Sequence, residues 1–200
     1  MLTPVRDASD RLNMELDPNS RISRLRNMHW EKTHDAAVAT KPIVGSGEDT
    51  LVGHAKDFAS LLEASDPFIQ DDELIVGSLL ATPEDAESIN LGEYDPHYPP
   101  GHAMLLSRGF PGMRDKAQEK LQTVTDPESR DFLKGVVISF EAACKYVAKF
   151  GRNAENKAAN ESDPVRAQEL NNISAICDEL ATGKPTSFYS ALQLIQFTRV

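Results

Sequence analysis

Asp126-Pro127 stands directly before an apolar series at Phe132, Val136, Phe140, Ala143 and Val147. That arrangement constrains the fold more than any other feature of the chain. An Asp side chain accepts the free amides at a helix start, and proline suits the first turn, where its missing N–H costs nothing. Steps of three and four residues then line up one apolar face, so the segment predicts a long amphipathic helix that needs a partner layer. It can run past Gly151 through "AENKAANE". Asp163-Pro164 repeats the start signal for a helix to about Leu180, with Leu170, Ile173, Ile176 and Cys177 inward. Gly183 and Pro185 break it.

The same periodicity predicts a helix from Ser20 to about Thr40, with Ile22, Leu25 and His29 on one face. It predicts others over 50–63 (Leu51, Ala55, Phe58 and Leu62) and about 102–123, and a last one from Thr186 or Ser187 through Leu192 and Ile195. Residues 1–19, with Pro4 and Pro18, read as a loose lead-in. Residues 81–101 carry Pro83, Pro96, Pro99, Pro100, Gly92 and Gly101 and read as an extended loop. "LIVGSLL", Leu74 to Leu80, is the one strand candidate. A mainly α fold follows. The last helix reaches Val200 without a Gly or Asn stop signal, which fits either a chain cut from something longer or a docked terminal helix.

Composition excludes whole classes. A net charge of −10 over 200 residues opposes nucleic-acid binding, which needs a basic face. Arg21, Arg24 and Arg26 form the one local basic group and read as a solvated face or ion pairs. No run reaches the roughly 18 apolar residues of a membrane helix, and the N-terminus has no apolar signal core. Two cysteines, Cys144 and Cys177, cannot build a disulfide framework and suit a reducing cytoplasm.

Each candidate for chemistry has a plainer reading. "GSGEDT" at 45–50 lacks both the third glycine of a dinucleotide loop and the Gly-Lys-Ser/Thr of a phosphate loop, so it reads as a loop. Glu93, Asp95, His97 and His102 could converge on zinc or iron, but prolines stiffen the segment and no second ligand cluster follows. His29 and His34 are five apart and do not share a helix face. Cys144 and Cys177 read as buried small hydrophobes rather than nucleophiles. Asp71, Asp72 and Glu73 could do acid–base work, or simply bring the chain to the surface before Leu74, Ile75 and Val76 turn inward. These residues give no catalytic, cofactor-binding or metal-binding assignment.

The order of four segments says more. "FASLLEASDPFIQDDELIVGS" resembles the N-terminal part of glycyl radical enzymes, the pyruvate formate-lyase and diol dehydratase superfamily, through Phe58, Leu61 and Leu62 before Ile69 and Asp72 to Gly77. His97, Pro100, Leu105-Leu106, Gly109 and Gly112 resemble a second family segment, with His102 where an aromatic residue is usual. Asp163, Arg166, Glu169, Leu170, Ile173 and Cys177 resemble a third. Pro185, Phe188, Ala191, Leu192 and Gln193 resemble a fourth, with Ser190 replacing the usual Glu. The departure is "EKTHDAAVATKP" at 31–42, where the family usually has a Glu-Arg-Ala segment.

The resemblance implies that 20–200 is the N-terminal helical layer around a ten-stranded α/β barrel, with the barrel largely absent from this chain. It also implies a complete lyase, dehydratase or formate acetyltransferase acting on a small polar molecule, with weight on the dehydratase branch. In such enzymes a glycyl radical, installed by a radical S-adenosylmethionine activase, oxidises a barrel cysteine to a thiyl. The Arg-Val-x-Gly-Tyr loop does not occur in this sequence, and Cys177-Asp178-Glu179, although of the form Cys-x-Glu, falls within the helix expected to run to about Leu180 rather than in a loop, so no catalytic residue carries over. The implied partners are the remaining barrel or a complementary subunit, the activase, and a second copy in a homodimer. A stand-alone helical interaction module binding such a subunit or activase is the other reading, and a metal-dependent hydrolase using His97 and His102 a third.

Overall fold

The computed structural model describes residue 17 and residues 19–30, 37–38, 43–77, 80–81 and 101–198. In chain order its elements are α1 (Arg21–Trp30), β1 (Ala37–Val38), α2 (Leu51–Ala64), β2 (Leu80–Ala81), α3 (His102–Leu121), α4 (Pro127–Ala159), α5 (Pro164–Thr182) and α6 (Phe188–Phe197). Five helices start on a side-chain cap. Ser20, Thr50, Asp126, Asp163 and Ser187 accept from the amides of Ser23, Gly53, Ser129, Val165 and Ser190 at 2.8–3.2 Å. Ser187 and Ser190 complete a reciprocal capping box.

The chain divides into two compact units, Met1–His34 with Gln70–Glu73, and Asp35–Ile69 with Leu74–Val200. Within the first, the Arg24 guanidinium grips the Asp72 carboxylate through two bonds of 2.6 Å and also donates to the Asn19 carbonyl. Arg21 stands 3.7 Å from the same carboxylate.

In the second unit, α4 is the spine, packed most extensively on α5, then α2 and α3. Val147, Phe150 and Ala154 of α4, Leu170, Ile173, Cys177 and Leu180 of α5, Leu62 of α2 and Leu194 and Phe197 of α6 form one buried core. Each large aliphatic side chain fully removed from water there contributes about 1.5–3 kcal/mol. The rings of Tyr146 and Phe197 flank Phe150, each with centroids 5.3 Å away. Gly151 allows α5 to approach, since a Cβ there would stand 2.9 Å from Asp178 Oδ1. Helix α3 is kinked at Gly109, where φ is 69°, two residues before Pro111. A Cβ at Gly109 would run into the Gly183 carbonyl, so the kink seats against the turn between α5 and α6.

Three expectations are corrected. The helix expected to continue to Thr40 does not cover Ala37–Val38, which is strand β1, paired in parallel with β2 in the register Ala37 to Leu80 and Val38 to Ala81. Among the described residues of the strand candidate, Leu80 alone lies in a strand, and Leu74 is 39% exposed rather than inward. Phe132, placed on the core stripe, is exposed. It is the sixth residue of α4, ahead of the first buried position of that helix, Gly135. The expected 81–101 loop falls almost wholly outside the described residues.

Candidate functional site

The stretch of most interest is the chain leaving α2 and running toward β2. Residues 65–69 alternate, with Ser65, Pro67 and Ile69 buried and Asp66 and Phe68 facing out. Ser65 makes an isolated β-bridge, but among the described residues no strand is paired along 66–69, so the carbonyls of this stretch take other donors. Helix α4 supplies them. Lys149 Nζ donates to the carbonyls of Leu62, Glu63 and Ser65 at 3.1, 2.5 and 3.1 Å. Asn153 Nδ2 donates to the Pro67 carbonyl at 3.1 Å, and Lys157 Nζ to that of Ile69 at 2.6 Å. The match is geometric. Donors four residues apart on a helix are spaced by about 6 Å, and alternate carbonyls of an extended chain by about 6.6 Å.

Helix α6 continues the device on 74–77. Tyr189 donates its hydroxyl to the Leu74 carbonyl, and Gln196 Nε2 donates to that of Gly77 at 3.1 Å. Between them Gln193 engages Val76 twice, accepting from its amide at 2.9 Å and donating to its carbonyl at 2.6 Å. Gln193 is 1% exposed and Val76 0%, so neither group has water as an alternative. Gly77 follows at φ 136°, a conformation that L side chains rarely adopt. Two stretches singled out in the sequence, Ile75-Val76-Gly77 and the Pro185 to Gln193 helix, are thereby joined across 117 positions.

The residues weighed for chemistry have other occupations. Asp72 holds the arginines, and Glu73 Oε2 accepts the Gln70 amide at 2.9 Å, closing a turn. In "GSGEDT", Ser46 donates its amide to Asp57 at 2.5 Å, Glu48 pairs with Lys56 at 2.9 Å and Thr50 caps α2. His102 opens α3, with Nε2 3.5 Å from Thr198 Oγ1. Glu93, Asp95, His97 and His34 lie outside the described residues, as does the His29 side chain. Among the described residues, no group of three or more His, Cys, Asp and Glu could hold a metal ion. Burial raises the Cys144 thiol to about 11 and the Cys177 thiol to about 12, which leaves both protonated and unreactive near neutrality. No described helix is long and apolar enough to cross a membrane.

The donor ladder is what sequence reasoning missed. Its signal is the spacing Lys149, Asn153, Lys157 and Tyr189, Gln193, Gln196, polar positions on faces that turn toward the protein.

A model of the family described as pyruvate formate lyase-like matches residues 93–200. A (2S)-3-sulfopropanediol dehydratase of Klebsiella oxytoca is 39% identical over 101 residues, 48% of this chain and 12% of that protein. An isethionate sulfite-lyase of Oleidesulfovibrio alaskensis is 34% identical over 103 residues, again 48% of this chain and 12% of that protein. Among solved structures, the glycerol-bound B12-independent glycerol dehydratase of Clostridium butyricum superposes with a TM-score of 0.71 at 24% identity, covering 90% of this chain and 33% of that one. A glycyl radical enzyme from Archaeoglobus fulgidus gives 0.70 at 20% identity, with the same coverage of 90% and 33%. The chain thus spans about an eighth of the curated relatives by sequence and a third of the solved ones by fold.

Proposed function

The chain belongs to the pyruvate formate lyase-like family, within the glycyl radical enzyme superfamily, and from that we propose that residues 20–200 serve as the N-terminal helical layer of a longer glycyl radical enzyme. On this reading the layer shapes and shields a barrel, while the radical glycine and the thiyl cysteine belong to the part of that enzyme outside these 200 residues. A radical S-adenosylmethionine activase installs the radical, and the complete enzyme works as a cytoplasmic homodimer. The observation that carries the reading is the fold match over 90% of this chain to an enzyme of which it covers 33%. The two cysteines agree with it. A thiol that cycles through a thiyl needs access to substrate, and Cys144 and Cys177 are both sealed in helix–helix packing.

For the reaction, we favour the dehydratase and C–X lyase branch over formate acetyltransfer. The support is the identity to a sulfopropanediol dehydratase and an isethionate sulfite-lyase, both named for small, oxygenated, anionic C2–C3 compounds. Anaerobic incubation with an activase, followed by electron paramagnetic resonance, tests the assignment. The expected result is no glycyl doublet from residues 1–200 and a doublet from the longer enzyme that contains them. A doublet in the isolated chain would overturn the reading.

A further inference from the structure

Gln193 does for Val76 what a neighbouring strand would do. It satisfies both the amide and the carbonyl of one residue, at 2.9 and 2.6 Å, and does so with a side chain. We propose that the donors of α4 and α6 form a register lock, fixing the single alignment in which residues 65–69 and 74–77 can lie and hence the alignment with which the chain reaches β2.

Three independent features admit only one alignment. Lys149, Asn153 and Lys157 meet the carbonyls of Ser65, Pro67 and Ile69, so a slip of one residue presents the intervening carbonyls, which point the other way. The same slip carries Val76 or Ser78 into the φ of 136° that Gly77 occupies, which a side chain opposes. It also lifts Ile69 and Val76, 1% and 0% exposed, out of the core. Leu80 follows Gly77 by only three residues, and among the described residues β2 pairs with β1 through Ala37–Leu80 and Val38–Ala81. Register in a sheet follows from which faces are buried and from how the chain is delivered into each strand, and Gly77 is the point from which it is delivered into β2. The lock sets that delivery. The inference concerns this chain's own backbone and stands whether or not the radical-enzyme reading does.

Amide exchange followed by NMR in the 200-residue protein tests it with Gln193→Leu and Gly77→Ala. In both variants the amides of Val76, Leu80 and Ala81 should exchange at least about tenfold faster, the equivalent of one net hydrogen bond. Amides of α4 and α5 should stay within about twofold of the unsubstituted protein. The proposal fails if Leu80 and Ala81 keep their protection in either variant, if they show none in the unsubstituted protein, or if α4 and α5 accelerate to the same degree. Should neither variant fold, the Gln193 side-chain amide of the unsubstituted protein decides. Its protons should exchange at least about tenfold more slowly than those of an exposed glutamine, and exchange at the exposed rate overturns the lock.

Discussion

At the scale of residues, the two thiols translate burial into a pH dependence. Cys144 and Cys177 titrate near 9.0 in an unfolded chain, but in the fold desolvation raises them to about 11 and about 12. The folded state therefore binds its thiol protons more tightly than the unfolded state does. The sign follows: the contribution is fully present below about pH 9 and is lost as pH rises through 11 and 12. Urea midpoints measured from pH 7.5 to 11 should hold level to about pH 9 and then fall, and Cys177→Ala should flatten the upper part of that decline. A midpoint that falls no faster above pH 9 in the parent than in Cys177→Ala would show that the Cys177 thiol is not held as the structure has it. The sequence placed both cysteines among apolar helix positions, and that much was legible, because a helical stripe is a local pattern.

At the scale of elements, legibility divides along the same line. The helix starts at Asp126 and Asp163 could be read because cap, proline and apolar period lie within a few residues of one another. Strand β1 could not. Ala37–Val38 becomes a strand only through Leu80–Ala81, some 43 positions on, and nothing nearby in sequence marks it. The donor ladder was equally out of reach, since Lys149 and Lys157 look like solvated lysines until residues 62–69 are laid beside them. The lysines of α4 make the point testable. Lys149 closes three carbonyls at the C-terminus of α2, whereas Lys145 pairs with Glu141 at 2.8 Å on the open surface. Lys149→Met keeps the aliphatic stem and removes the charge-assisted bonds, and should cost about 2 kcal/mol in chemical denaturation. Lys145→Met should leave the midpoint where it is, because an exposed pair is screened by water and salt. Equal effects from the two substitutions would mean that the ladder contributes no more than surface charge.

At the scale of the whole molecule, α6 has two apolar faces and only one of them is used. Leu194 and Phe197 join the core, while on the other side Phe188 is 81% exposed and Leu192 40%, with Ile195 half-buried one turn further on. Positions 188, 192 and 195 share a helical face, so this is a stripe rather than scattered exposure. The cap at Ser187 and the Gln193 clamp hold the helix rigidly beneath it. If the chain is one layer of a longer enzyme, that stripe is where further apolar surface would be covered, and its removal should be felt only in the longer protein. Phe188→Ser should change the stability of the 200-residue chain by no more than about 0.5 kcal/mol, as expected of a side chain already in water. In the longer enzyme the same substitution should cost about 1.5–3 kcal/mol, the transfer free energy of a fully covered aromatic. Paired denaturation curves read the difference directly. A longer enzyme as indifferent to Phe188→Ser as the isolated chain would leave the stripe facing solvent in both, and the helical layer would have to meet its barrel through some other face.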